Sequence, residues 1–308
     1  MAFQITDVPE AFALPLRMTP MSAWLFHIPM VPVIVKLLRP RVLVELGTHA
    51  GDSYLAFCQA VKTYGLQTAC TAVDLWTGDV HTGAYGPEVL SSLRAAHDPQ
   101  YAGFSRLLQM SFDDALSKVP DGSVDLLHID GAHDYKSVRH DFDAWLPKLS
   151  DRAVVLFHDT AERKEGFGVW QVWDEVRAGR PHASVPYGHG LGLLAQGPNV
   201  PAAFLEFLDA LNQSPALVSA YQALGHRLHT ICYLAFCGEG LATCQNLANQ
   251  WKQLTGQPIL HPVSAQDVIR LAPQYLVQPV IEDVRQMALD GLKIASDLKA
   301  LREKTPGG

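Results

Sequence analysis

The stretch LHIDGAHDYKSVRHDFDAWLPKLSDRAVVLFHDT, residues 127–160, decides the fold. It spans the ends of two apolar runs, VDLLHID (124–130) and AVVLFHD (153–159), and each run ends in an acid: Asp130 on the first, and Asp159, preceded by His158, on the second. Runs of this length read as strands. Between them SVRHDFDAWLPKL (137–149) places Val138, Phe142, Trp145 and Leu149 at helical spacing. In an open α/β sheet, residues at the carboxyl ends of strands line the ligand crevice. Asp130, His133, His158 and Asp159 are therefore expected to converge. Aspartate and histidine side chains meeting at one point suggest a divalent metal with a general base beside it.

The same alternation continues outward. VLVEL (42–46) reads as a short buried strand, followed by a Gly-containing turn and a helix over 53–65. TACTAVDLW (68–76) is a strand ending in an acid, and helix 88–97, strand 104–110 and short helix 113–119 follow. Beyond residue 160 come a helix over 168–179 and a last short strand, HGLGLLAQG (189–197). Strand and helix thus alternate from 42 to 197, which predicts an α/β, doubly wound, mainly parallel sheet with right-handed crossovers. We divide the chain into an N-terminal arm (1–40) with a helix near 22–38, a central domain (41–197) and a helical extension (198–308). The extension shows helical patterns at 201–213, 217–236, 241–255 and 265–272. Val280, Val284, Met287, Gly291, Ile294, Leu298 and Leu301 alternate by four and three, a heptad rhythm that reads equally as a homodimer seam or as a helix packed on its own domain. The closing KTPGG has linker composition, so the chain is expected to be one module of a longer protein.

Composition narrows the partners. Of 308 residues, 48% are hydrophobic and 18% charged, enough for a sizeable core. The net charge is −7 and no basic run marks a nucleic-acid or anionic-membrane footprint. WLFHIPMVPVIVKLL (24–38) is apolar but too short for a membrane span. Five scattered cysteines without a CxxC pair read as reduced core residues, and no signal peptide opens the chain, so a cytoplasmic setting is expected.

A second motif, ELGTHAG (45–51), follows a buried strand and precedes a helix. Its glycines let backbone approach a ligand, and the helix N-terminus favours a carboxylate or phosphate. G-x-G-x-x-G is absent, so the dinucleotide fingerprint does not fit. Asp74 ends the second strand, where a ribose-binding carboxylate belongs, and the pair favours a nucleoside ligand over a mere turn cap.

This order of motifs resembles the class I S-adenosylmethionine-dependent methyltransferases, over about residues 40 to 197. The segment from Ile129 to Thr160 resembles more specifically the metal-dependent O-methyltransferases that act on sugar hydroxyls, including those of macrolide and aminocoumarin sugars. FGVWQVWDEV (167–176) and HGLGLL (189–194) are similar to methyltransferase modules associated with bacterial polysaccharide glycosyltransferases. The resemblance implies a Rossmann-like domain with Glu45, Gly47, Thr48, Gly51 and Ser53 in the turn that takes the methionine end of the donor. It implies that Asp74 takes the ribose hydroxyls and that Asp113 takes the adenine amino group, while Trp76 reads equally as an adenine cover and as packing. It implies Asp130 as a metal ligand and catalytic residue, His133 as the base, and Asp159 with His158 completing the metal site. His158 departs from the usual acid and would suit a transition metal better than Mg²⁺.

Other residues receive plainer readings. His128 is structural, Asp134 and Tyr135 open a helix, Asp141 and Asp143 lie on a solvated face, and Trp145 is core. The Gly-rich loop 76–86, with Asp79 and His81, reads as a lid or a surface loop, and His182, Tyr187 and His189 are placed near the acceptor. The expected activity is metal-assisted methyl transfer to a sugar hydroxyl of a small molecule or glycan, with a glycosyltransferase linked or as partner. The rivals are a catechol-type O-methyltransferase and a non-catalytic donor-binding scaffold.

Overall fold

A computed structural model of the chain describes residues 3, 5–19, 22–79 and 83–236, Asp79 and the last four by their backbone alone. The chain divides into two compact units, Met1–Thr230 and Ile231–Gly308. The heptad positions 280–301, and Cys237 and Cys244, lie outside the described residues. Cys58, Cys70 and Cys232 are buried. No described helix is long and apolar enough to cross a membrane.

The expected helix at 22–38 is broken. Two 3-10 turns, Ala23–Phe26 and Ile28–Met30, precede α1 (Val31–Leu38). Pro29 has no N–H to give and Pro32 is tolerated only because it falls in the first turn of α1. The central elements then follow: β1 (Val42–Leu46), α2 (Asp52–Thr63), β2 (Ala69–Asp74), a small hairpin of β3 (Gly78–Asp79) and β4 (Gly83–Ala84), α3 (Glu88–Tyr101) and β5 (Ser105–Gln109). After α4 (Phe112–Leu116) come β6 (Val124–Ile129), α5 (Tyr135–Trp145), β7 (Leu149–His158) and α6 (Val169–Val176). The chain continues through β8 (His182–Val185), β9 (Leu191–Ala195), α7 (Ala202–Gln213) and α8 (Pro215–Phe236).

The main sheet runs β5-β2-β1-β6-β7-β9-β8. Its first four pairings are parallel, and β9 joins β7 and β8 antiparallel. The mainly parallel sheet holds as expected, while the sequence showed one closing strand where a hairpin stands. Four-residue β8 is an edge strand with only alternate residues buried, too short to leave a periodic signal. α1 packs on α2 and α7, and α5 on α4 and α6. α7 also packs on β8, so the compact unit runs past the boundary expected at 197.

Register positions the site. Leu46 pairs with Val73 and with Ile129, and Ile129 with Phe157. The next residues along, Gly47, Asp74, Asp130 and His158, therefore emerge in one row at the carboxyl edge. Strand order reverses between β1 and β6, which makes this row the topological switch point.

Candidate active site

The row opens into a cavity of about 670 Å³, inside the usual range for small-molecule sites. At one end is the β1–α2 turn. Gly47 and Gly51 adopt φ of +84° and +85°, and a Cβ on Gly47 would lie 2.1 Å from the Asp130 carbonyl oxygen. Only glycine permits that approach of two strand ends. Asp74 holds the turn: its Oδ2 accepts from the backbone N–H of Thr48 (2.9 Å) and His49 (2.8 Å), and its Oδ1 from Trp76 (2.7 Å). Thr48, Gly51, Ser53 and Asp74 all line the cavity.

Two expected donor residues do not. Glu45 is fully buried behind the turn, where its Oε2 lies 2.8 Å from His128 Nδ1. Burial pushes its carboxyl up, with His128 opposing. Trp76 is buried with its indole donating to the His49 carbonyl, and exposed Leu75 lines the cavity instead. Asp113 lines it beside Phe112, paired at 2.9 Å with His140 on the protein surface. Asp141 is a correction: it is buried rather than solvated and forms part of the cavity wall, and burial pushes its carboxyl up to about 7. The signal was present, since Asp141 stands three residues from Val138 and four from Trp145, within the helix's apolar stripe. Asp143 is exposed and pairs with Arg139.

At the other end the four expected residues converge. Asp134 caps α5 through bonds to the Lys136 and Ser137 N–H groups, which sets the turn carrying His133. His133 Nδ1 lies 3.0 Å from Asp159 Oδ2, and the ring stacks on Phe167 with centroids 5.1 Å apart and planes 3° from parallel. Asp159 sits at φ +61°, a conformation Asp tolerates better than most side chains. Burial opposes charge on His133, but the bond to Asp159 raises its pKa above the ordinary value. Asp159 is held down to about 2 despite burial, by the charge of His158 and the bond to His133.

His158 is wedged between acidic neighbours. Its Nδ1 lies 3.1 Å from Asp130 Oδ1 and 3.5 Å from Asp159 Oδ1. Its Nε2 lies 3.2 Å from the Gly188 carbonyl oxygen. A carbonyl only accepts and the carboxylates accept, so both ring nitrogens carry hydrogen. Burial works against that cation, but Asp130 and Asp159 outweigh it and lift the pKa to about 9. His27, which shares Gly188 at 2.9 Å, is driven down to about 3 by burial and then by the His158 charge. Asp130 Oδ2 accepts from the Trp24 indole N–H at 2.9 Å.

These contacts bear on the metal expectation. Asp130, His133 and Asp159 each bring one potential ligand atom within 4.8 Å of the others. In the doubly protonated form that Asp130 and Asp159 favour, His158, the expected further ligand, has no lone pair to give. Each carboxylate oxygen of Asp130 and Asp159 already faces an N–H from Trp24, His133 or His158. The arrangement does not fit a divalent ion ligated by His158.

Trp24, Glu162, Lys164 and Phe167 also line this end and were not singled out from the sequence as site residues. Glu162 lies 3.0 Å from His189 Nδ1 and 2.7 Å from Lys164 Nζ. His189 lines the cavity as expected, while His182 packs on Trp173 at the sheet edge and Tyr187 stacks behind on His27. The β3–β4 hairpin contributes Gly78 and, next to it, Tyr85; His81 lies outside the described residues.

Residues 44–160 match a family described as Methyltransferase domain. Over these residues the chain is similar to that family, and the match supports S-adenosylmethionine as the cofactor of this region. The chain is also 55% identical over 181 residues to the Uncharacterized protein y4gI of Sinorhizobium fredii (strain NBRC 101917 / NGR234). That alignment takes in 59% of this chain but 20% of the relative, so the chain spans about a fifth of the relative's length. Among solved structures it is similar to a methyltransferase from Geobacter sulfurreducens (14% identity, 63% of this chain and 86% of that one, TM-score 0.43). It is similar too to the O-methyltransferase TomG from Streptomyces achromogenes, solved in complex with SAM (14% identity, 64% and 92%, TM-score 0.43).

Proposed function

We propose that this methyltransferase domain moves the methyl group of S-adenosylmethionine to a hydroxyl oxygen of a sugar unit, with His133 as general base. The observation that carries the reading is the His133–Asp159 dyad in the same cavity as the bare-backbone turn Gly47–Gly51. A sugar hydroxyl is a poor nucleophile until a positioned base removes its proton in the transition state. Asp159 engages Nδ1, so Nε2 is the atom that serves as base, and the Asp159 charge stabilises the imidazolium that forms. When bound, S-adenosylmethionine supplies a methyl on sulfonium, and its sulfur keeps the electron pair of the broken C–S bond. The hydroxyl oxygen forms the new bond to the methyl carbon, and the hydroxyl proton goes to His133 Nε2. In-line placement in the cavity supplies the remainder.

The acceptor end supports a sugar over a flat phenol. Glu162, Lys164 and His189 put charged and hydrogen-bonding groups there, as a polyhydroxylated acceptor requires. No step in this reading passes through a metal, because the doubly donating His158 does not fit as its ligand. The partner glycosyltransferase stays part of the proposal, and the greater length of the Sinorhizobium fredii relative is compatible with a further module.

The test is methyl transfer from labelled S-adenosylmethionine to nucleotide sugars, glycan fragments and catechols. Transfer to sugars is expected. Labelling of catechols alone would replace the acceptor class, and no calorimetric binding of S-adenosylhomocysteine would leave a scaffold.

A further inference from the structure

We infer that the doubly donating imidazole of His158 stands where a divalent ion would otherwise bridge Asp130 and Asp159, so that this site carries a built-in cation and takes no metal. The inference rests on the methyl-transfer reading only for its consequence in catalysis. Its premises are the contacts of one ring.

An ion shared by two carboxylates sits about 2.0–2.6 Å from each oxygen, depending on the metal. Asp130 Oδ1 and Asp159 Oδ1 both face one ring atom, His158 Nδ1. His158 Nδ1 hydrogen-bonds the first at 3.1 Å and lies 3.5 Å from the second as an ion pair. The ring cannot turn aside cheaply, because Nε2 would leave the Gly188 carbonyl and the imidazole is buried against Trp24 and His27, with ring centroids 5.6 and 5.4 Å away. The other oxygens are also engaged. Trp24 can only donate, and its indole N–H goes to Asp130 Oδ2. Asp159 Oδ2 holds His133, so an ion drawn to Asp130, His133 and Asp159 would have to break the dyad that orients the base.

Charge tells the same way. Two buried carboxylates side by side need a counter-charge. Imidazole supplies it here at hydrogen-bond range, and a second, divalent cation would sit against that positive ring. In catalysis the buried cation stabilises the negative charge that develops on the acceptor oxygen, which is the electrostatic service a metal would give.

Mn²⁺ titration of the full chain tests this without turnover, by the paramagnetic resonance of the free ion, in the presence of S-adenosylhomocysteine. The wild-type chain is expected to leave the free-ion signal unreduced. Stoichiometric uptake with Kd below about 100 μM overturns the inference. His158→Asp, which restores an acid at this position, is expected to gain one Mn²⁺ site with affinity raised at least ~10-fold, about 1.4 kcal/mol. If that variant binds S-adenosylhomocysteine normally but gains no Mn²⁺ site, the claim that the ring occupies the ion's place fails. His158→Glu is the second variant should the first not fold, and the wild-type titration stands by itself. A wild-type chain that takes neither Mn²⁺ nor any sugar acceptor sinks the sugar reading and leaves this one intact.

Discussion

Asp125 and Asp130 stand at opposite ends of β6, and each is a carboxylate tied to residues distant in sequence. Asp125 is closed. Its Oδ1 accepts from Arg41 Nη2 at 2.8 Å and Ser150 Oγ at 2.6 Å, and its Oδ2 from the Arg41 backbone N–H at 2.7 Å and Nε at 2.9 Å. These four donors fill its lone-pair directions, while the outer side of Arg41 stays in water. Asp130 is open. It has two donors, Trp24 and His158, and it faces the cavity. The first arrangement can only lock the β1–β6 seam. The second leaves acceptor capacity aimed at a ligand and places a buried cation beside it. How completely the donors saturate the carboxylate therefore separates the two roles.

The comparison breaks most sharply at the open end. His133→Gln should lower kcat by about 10²–10⁴-fold, the usual worth of a positioned base, with S-adenosylhomocysteine affinity nearly unchanged. Melting temperature should move little, because His133 is near the surface of the cavity. Steady-state kinetics beside calorimetry would decide it, and a parallel loss of donor binding would mean that the ring supports the turn rather than the chemistry.

The closed end should answer in the opposite currency. Arg41→Ala strips two charge-assisted bonds from Asp125 and leaves it buried with Ser150 and one backbone donor, which should cost about 2 kcal/mol. For a unit of this size that is roughly 4–8 °C in melting temperature, with kcat unchanged where the protein stays folded. If kcat falls as steeply as for His133→Gln, the two ends of β6 are not separable.

The β6–α5–β7 unit was legible because strand length, helical spacing and strand-end acids are local signals, and register then carried Gly47, Asp74, Asp130 and His158 to one edge without further information. What His158 does there was not legible. Its meaning comes from Gly188, thirty residues on, and from Asp130, whose second oxygen is held by Trp24 from more than a hundred residues upstream. Trp76 and Glu45 misled for the same reason: their partners, His49 and His128, are set by packing around the turn. β8 was missed because an edge strand of four residues has no periodicity to show.

Asp141 tests the comparison most finely, since it is a third carboxyl near β6 and has neither arrangement. Gly131 and Phe112 make room for it: a Cβ on Gly131 would lie 2.5 Å from the Phe112 ring and 3.6 Å from Asp141 Oδ2. Burial dominates its titration and the His140 charge offsets that only in part, so the carboxyl keeps its proton up to about pH 7. In the unfolded chain the same group ionises near its ordinary value of 3.8. Between those limits the native state binds the extra proton, so the wild type loses stability as pH rises, and the loss levels off above about pH 7. Asn cannot titrate. Asp141→Asn should therefore match the wild type near pH 4 and exceed it progressively up to pH 8. The full shift bounds the gain at about 4 kcal/mol, and water in the open cavity reduces it to on the order of 1–2 kcal/mol. Urea unfolding of both proteins at several pH values reads the difference directly. A difference that does not grow with pH would mean that Asp141 is ionised in the native state, and that it is a paired carboxylate of the Asp125 kind whose partner is a donor at the cavity wall.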